Sequence, residues 1–186
     1  MVILSKIYTR GGDKGMTHLG DGTRVFKFDP RIMAMSAVDE TNSSIGMLLS
    51  YGVDSDIRDT LFRIQNDLFD VGADLCTPLI GGEGKLRVTP AQIKYLEDKI
   101  DHYNESLTTL KSFVLPAGHP AAAQAHMCRT ISRRAELAIW HAIDEYETNI
   151  SYKTAQYMNR LSDLLFVLAR YMNNGNDTLW IPGENR

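Results

Sequence analysis

Stretches with a helical apolar period alternate along this chain with short segments that have none. From Ile7 to Phe28, Gly, Thr and Asp dominate and apolar residues come in short words, which predicts an ordered loop with a short strand turn. Asp29-Pro30 then reads as a helix start: a capping carboxylate followed by proline at the first helical position. This first helix is expected to reach Tyr51, with Met35, Val38, Ile45, Leu48 and Leu49 at helical spacing. Asp39, Asn42, Ser43 and Gly46 form a small, polar stripe beside them, and such a stripe needs a partner surface.

A second helix is expected from Asp56 to Leu75, carrying Leu61, Ile64, Leu68 and Val71 with Phe62 and Phe69, and stopping before Thr77-Pro78. Gly81-Gly82-Glu83-Gly84-Lys85 predicts a mobile surface loop. Thr89-Pro90 restarts a helix to Asn104, with Ile93, Leu96 and Ile100 on one face. After the apolar connector Phe113 to Gly118, an alanine-rich helix is expected from Pro120 to Asp144. A last one spans Ser151 to Asn173 with Met158, Leu161, Leu165, Leu168 and Met172 inward. Five amphipathic helices joined by short loops predict an all-α five-helix bundle. The reading is one domain over 1–186: an N-terminal segment at 1–28, the bundle at 29–173 and a tail at 174–186.

Composition leaves that picture intact and narrows the function. At 186 residues, 44% hydrophobic and 23% charged, the chain suits one folded domain. A net charge of -3 supplies no overall basic field for a nucleic acid, so local cations are read as small-anion sites. Cys76 and Cys128 form no CxxC pair and have no histidine at zinc-like spacing, so both are expected reduced and buried. No apolar run approaches a membrane span and the N-terminal one is too short for a signal peptide; the expected compartment is the cytoplasm.

Candidate chemistry concentrates in Thr9-Arg10-Gly11-Gly12-Asp13-Lys14-Gly15-Met16-Thr17. Glycines let backbone N–H groups approach an anion, while Arg10 and Lys14 add charge; a solvated Gly-Asp turn is the competing reading. Lys27, following the loop, extends its cationic lining. The order is neither GxxxxGK[ST] nor GxGxxG, so no P-loop or dinucleotide fold is supported. No Glu-x-x-His pair points to a di-metal bundle, and no GxSxG elbow offers a nucleophile.

On the fourth helix, spacings of four and three put Arg129, Arg133 and Glu136 on one face, beside Arg134. The nearly uncharged run from Ala121 to Met127 argues that this stretch is buried, where a charge needs a partner; a solvated face is the alternative. On the fifth helix Asn159 and Asp163 share a face and either reach a ligand or satisfy buried polar groups. Asp39 is either a surface carboxylate or a counter-ion to an arginine such as Arg129, and its apolar neighbours favour the counter-ion. Phe113, by ordinary aromatic usage, belongs to a core.

Five blocks in order, IYTRGGDKGMT, AVDETNSSIG, FVLPAG, CRTISRRAE and YMNRLSDLLFVLARY, closely resemble the PduO-type ATP:cob(I)alamin adenosyltransferases over nearly the full chain. The resemblance implies a transferase built as a five-helix bundle and assembled as a homotrimer with active sites between subunits. It implies transfer of the 5′-deoxyadenosyl group of ATP to cob(I)alamin with release of triphosphate, assisted by Mg²⁺. By the same resemblance, Thr9, Arg10, Gly11, Gly12, Asp13, Lys14, Gly15, Thr17, His18 and Lys27 match the ATP-binding segment. Arg133, Arg134, Glu136, Leu137 and Asn159 complete that nucleotide site. Asp39 and Arg129 match an intersubunit ion pair near the corrinoid, Phe113 matches the aromatic residue beneath cobalt, and Asp163 falls in the corrinoid vicinity. Lys14, Arg133, Asp39 and Arg129 are thereby implied in catalysis. Gly11 and His18 are departures that affect loop stiffness more than chemistry. A cob(II)alamin reductase and an adenosylcobalamin-dependent enzyme are implied partners. The competing readings are a bundle that binds nucleotide or corrinoid without catalysis, and a purely structural helical trimer.

Overall fold

The computed structural model of the chain describes residues 7–82 and 84–183, apart from the side chain of Thr148. Residues 1–6 and 184–186, and Glu83 of the expected glycine loop, lie outside the described residues. An antiparallel hairpin of β1 (Met16–His18) and β2 (Arg24–Phe26) precedes the helices α1 (Pro30–Leu49), α2 (Ser55–Cys76), α3 (Pro90–Asn104), α4 (Pro120–Tyr146) and α5 (Tyr152–Met172). The expected strand turn is this hairpin, and the five helices stand within a turn of the bounds that periodicity implies.

Local chemistry explains where the helices start. The Asp29 carboxylate accepts from Arg31 N at 2.9 Å, and Pro30 opens α1. Thr89 and Gln92 cap α3 reciprocally, the His119 side chain accepts from Ala121 N, and the Ser151 side chain accepts from Lys153 N. Helix α4 packs against both α1 and α5, while α1 also meets α2 and α5 also meets α3. Ile45, Leu61, Ile64, Leu96, Ile139, Leu161 and Leu165 are fully buried in the shared core. Each such side chain contributes about 1.5–3 kcal/mol relative to exposure. Small residues let α4 approach closely: Ala121, Ala122, Ala125, Ala135 and Ala142 are buried, and Ser132 Oγ donates to Met158 O at 3.2 Å.

Several expectations shift at the edges of this seam. Phe62 and Phe69 are exposed, because each lies one position off the buried row of Leu61, Ile64, Leu68 and Val71. Met127 is exposed for the same reason, whereas Cys128 beside it is buried; Cys76 is only half-buried, and both thiols are free. Within the glycine loop Gly82 is buried. Arg87 draws that segment inward by binding Asp74 and the carbonyls of Thr77, Pro78 and Gly82.

Arg31 carries a role that no spacing announced. It is fully buried, donates to Leu75 O and Asn149 O at 3.1 Å each, and lies 4.5 Å from the Tyr146 ring centroid. The Tyr146 hydroxyl donates to Asp29 at 2.5 Å, and burial together with that carboxylate pushes it up to about 12. This cluster fastens the start of α1 to the ends of α2 and α4, directly after the N-terminal hairpin. Among the described residues, no helix is long and apolar enough to cross a membrane.

Candidate active site

The N-terminal loop is folded by its own backbone. Asp13 N donates to Arg10 O and Gly15 N to Gly12 O, while Lys27 N donates to Gly15 O at 2.9 Å. The hairpin pairs Thr17 with Val25 and His18 with Arg24, and its turn is held by Asp21 accepting from Thr23 N and Oγ1 at 2.9 Å each. Buried Leu19 and the bond from Gly20 N to Cys76 O at 2.9 Å tie the hairpin to the end of α2. The bare Gly12 lets the Lys27 arm lie against the loop, since a Cβ there would stand 2.9 Å from Lys27 Nζ. Arg10 adopts φ 61, a left-handed conformation unusual for arginine. Thr9, Arg10, Gly11, Asp13, Lys14, His18 and Lys27 are exposed, while Gly12, Gly15 and Thr17 are half-buried. The loop therefore offers two lysines and an arginine to whatever approaches it.

A cavity of about 510 Å³ separates the hairpin from α1 and α2, and Thr17, His18, Asp39, Asn42 and Phe69 are among its walls. Asp39 is exposed and makes no ion pair among the described residues. The counter-ion that its apolar neighbours suggest is not realised inside one chain. Val38 and Asn42 turn inward instead, with Asn42 and Gln65 exchanging side-chain bonds to each other's carbonyls across α1 and α2.

On α4, Arg129 is half-buried and its Nε is buried without a hydrogen-bond partner. Burial, and then the charge of Arg133, hold its guanidinium below the usual range. Arg133 and Arg134 are exposed, which corrects the expectation that this stretch is buried: the uncharged run that suggested it ends where the helix face turns outward. Arg134 reaches Glu40 of α1 at 2.5 Å. Asn159 Nδ2 donates to Glu136 at 3.3 Å, and Arg160 donates to Asn159 Oδ1 at 2.7 Å and to Glu97 at 3.0 Å. Glu136 and Asn159, which the resemblance assigns to one nucleotide site, thus touch each other within a network that also includes Arg160. Leu137 and Asp163 are exposed.

A second cavity, about 680 Å³, is lined by Phe113 and Arg129 together with Phe166, Trp180 and Pro182. Phe113 is not a core residue, being 77% exposed. Its backbone is held by the C-terminal tail: Leu115 N donates to Thr178 O and Trp180 N to Phe113 O, both at 2.8 Å, and Ser112 Oγ donates to Trp180 O at 2.7 Å. The Trp180 and Phe113 ring centroids are 5.9 Å apart. Gly118, at φ 110, leaves room for the Asn173 amide. That amide accepts from His119 N at 2.9 Å and donates to Ala117 O at 3.0 Å, joining the start of α4 to the end of α5.

Sequence reasoning did not assign Trp180, Phe166 or the buried Arg170–Asp177 pair, whose side chains meet at 2.7 Å. The signal for the tail was its Leu-Trp-Ile run, apolar enough to pair with the equally apolar Phe-Val-Leu connector. No local pattern pointed to Phe166, whose helix face is set by α4.

A family model described as cobalamin adenosyltransferase matches residues 7–172. A corrinoid adenosyltransferase of Mycobacterium leprae is 50% identical over 186 residues, covering 97% of this chain and 97% of that protein. A cobalamin adenosyltransferase of Cupriavidus metallidurans is 48% identical over 181 residues, covering 95% of each. Among solved structures, a variant PduO-type ATP:corrinoid adenosyltransferase from Lactobacillus reuteri, complexed with cobalamin and ATP, aligns with a TM-score of 0.87 at 37% identity. That alignment covers 94% of this chain and 99% of the other. With the family model matching residues 7–172 and a relative 50% identical over 97% of its length, the chain belongs to the cobalamin adenosyltransferase family.

Proposed function

We propose that the protein transfers the 5′-deoxyadenosyl group of ATP to cob(I)alamin, yielding adenosylcobalamin and triphosphate, at sites formed between the subunits of a homotrimer. The observation that carries this reading is the cavity shared by Phe113 and Arg129, in a chain of this family that also displays a cationic glycine loop. An assembly is supported by what one chain leaves uncovered. Lys14, Arg133 and Asp39 are exposed, as are the stacked rings of Phe26 and Phe28 beside the loop. In the trimer, the loop of one subunit meets α4 and α5 of its neighbour, and Asp39 pairs with the neighbour's counterpart of Arg129.

In the reaction, the electron pair of Co(I) attacks C5′ of ATP. A cobalt–carbon bond forms as the C5′–O5′ bond breaks, and the electrons of that bond leave on triphosphate. Co(I) is itself a strong nucleophile, so the step requires no general base. The protein contributes alignment, worth up to ~7–11 kcal/mol in the most favourable intramolecular reactions. It also contributes charge: Lys14, Lys27 and Arg133 stabilise the departing triphosphate, with Thr9 to Thr17, His18, Arg134, Glu136, Leu137 and Asn159 shaping the nucleotide site. Mg²⁺ entering with the nucleotide would add to the charge that Lys14, Lys27 and Arg133 bring to the triphosphate. Phe113 lies beneath the corrin and excludes water and the lower base without coordinating. Cobalt is thereby kept four-coordinate and accepts an electron from a reductase more readily. Asp163 borders the corrinoid.

The test is direct. The protein is mixed with MgATP and chemically reduced cobalamin, and the visible spectrum is followed for the cobalt–carbon bond. Binding of both ligands without that spectral change would leave a carrier in place of an enzyme.

A further inference from the structure

His126 on α4 is only 2% exposed, yet neither of its ring nitrogens has a hydrogen-bond partner. Three other buried polar atoms share that condition: Arg31 Nε, which belongs to the cluster at the start of α1, and two atoms nearer His126, Arg129 Nε and Asp177 Oδ1. These last two and His126 belong to one neighbourhood. His126 and Arg129 are three residues apart on α4 and so share a face. The His126 ring stands 6.0 Å from Phe166 of α5, which lines the Phe113–Arg129 cavity together with Arg129. One turn further along α5, Arg170 grips the other oxygen of Asp177 at 2.7 Å, and the charges of Arg129 and Asp177 both act on the imidazole.

The unpaired atoms are complementary. A neutral imidazole offers one N–H and one lone pair. Arg129 Nε adds a donor and Asp177 Oδ1 an acceptor, so the four sort into two hydrogen bonds. Buried polar groups left unpaired are rare in native proteins. We propose that His126 is a positioning residue joining Arg129 to Asp177: the four atoms, unpaired as they stand, close by side-chain rotation, Arg129 Nε–H donating to one imidazole nitrogen and the N–H on the other donating to Asp177 Oδ1. Asp177 immediately precedes Thr178 to Trp180, the segment whose backbone pairs with Phe113 to Leu115. The relay therefore links both walls of the cavity, the arginine on α4 and the aromatic pair at the tail, so that Arg129 is oriented only when the tail is seated. Its effect on turnover rests on the corrinoid reading of the cavity; the pairing itself does not.

Two variants of the full chain separate this role from packing. His126→Phe keeps a ring of similar size and removes both polar atoms, while His126→Gln keeps one donor and one acceptor. The expected result is a KM for cobalamin raised about tenfold in His126→Phe, an ATP KM close to the parent's, and substantial recovery in His126→Gln. A parent-like cobalamin KM in His126→Phe, or equal loss in both variants, overturns the proposal. Nitrogen-15 NMR of the histidine-labelled parent reads the ring independently of activity. One protonated and one unprotonated nitrogen are expected for His126, with a hydrogen-bonded ring N–H that disappears in Asp177→Asn. A ring unaffected by Asp177→Asn overturns the pairing even if the enzyme is active. A parent that makes no adenosylcobalamin counts against the proposed function and leaves the NMR result to decide the relay.

Discussion

The amine of Lys27 lies over the backbone of Gly12, so that a Cβ on Gly12 would stand 2.9 Å from Nζ and 3.0 Å from Cε. The lysine occupies that position only because residue 12 has no side chain. Gly12→Ala would displace a flexible arm rather than the backbone, so its effect on folding stability is expected to stay within about 0.5 kcal/mol. The ATP affinity is expected to fall about tenfold, the scale of one hydrogen bond to a charged group. Calorimetric titration with MgATP checks this, and an unchanged Kd removes Lys27 from the nucleotide site.

Arg133 is exposed and makes no ion pair among the described residues, so Arg133→Ala should leave the melting temperature where it is. If it stabilises triphosphate, kcat falls by ~10²–10³, the usual loss for one preorganised charge donor in a catalytic site. Arg129→Ala should act instead on the cobalamin KM or on assembly. Parent-like ATP binding and turnover in Arg133→Ala would refute the assignment.

Phe113 exposes most of its ring and packs against Trp180 of the tail, so Phe113→Ala is expected to fold normally. Turnover starting from cob(II)alamin with a reductase should drop by at least about a hundredfold, whereas turnover from preformed cob(I)alamin should fall much less. Steady-state rates from the two starting oxidation states decide it. Equal losses would mean that the ring aligns the corrin without tuning its reduction.

Arg31 stabilises the fold and stands outside the proposed chemistry. Arg31→Met would strand the Leu75 and Asn149 carbonyls and the Tyr146 ring, at an expected loss of about 2–4 kcal/mol in urea unfolding. Per-subunit activity at low temperature should survive.

Stability should also respond to pH through His126. Burial, and then the charge of Arg129, push its imidazole below the usual 6.5, against the opposing pull of Asp177. The unfolded chain therefore binds a proton that the folded chain refuses in the window between the lowered value and 6.5. The contribution of neutral His126 is fully present above 6.5 and is lost as pH falls through that window. Chemical unfolding at several pH values should show this slope, and His126→Phe should flatten it.

Much of the scaffold was legible because helices are governed by local rules. Pro30, Pro90 and Pro120 each open a helix, as their fixed φ and missing N–H favour. Leu61, Ile64 and Leu68 are buried where a 3.6-residue period puts them. The exposure of Phe62 and Phe69 was not legible, since an aromatic ring one position off the seam looks the same in sequence whether or not a neighbour covers it. Nor were Arg31 and His126: a lone cation or histidine on a helix reveals burial only when the facing helix is known.

By itself, then, the order of residues determined five helices, a glycine-rich N-terminal segment with a short strand turn and the family to which the chain belongs, because each is written in contiguous blocks. Tertiary structure alone decided that Phe113 meets Arg129 and Trp180 around one cavity, and that Lys27 lies over Gly12. Those relationships depend on packing angles and on backbone pairing between segments remote in the chain, and no local propensity encodes them.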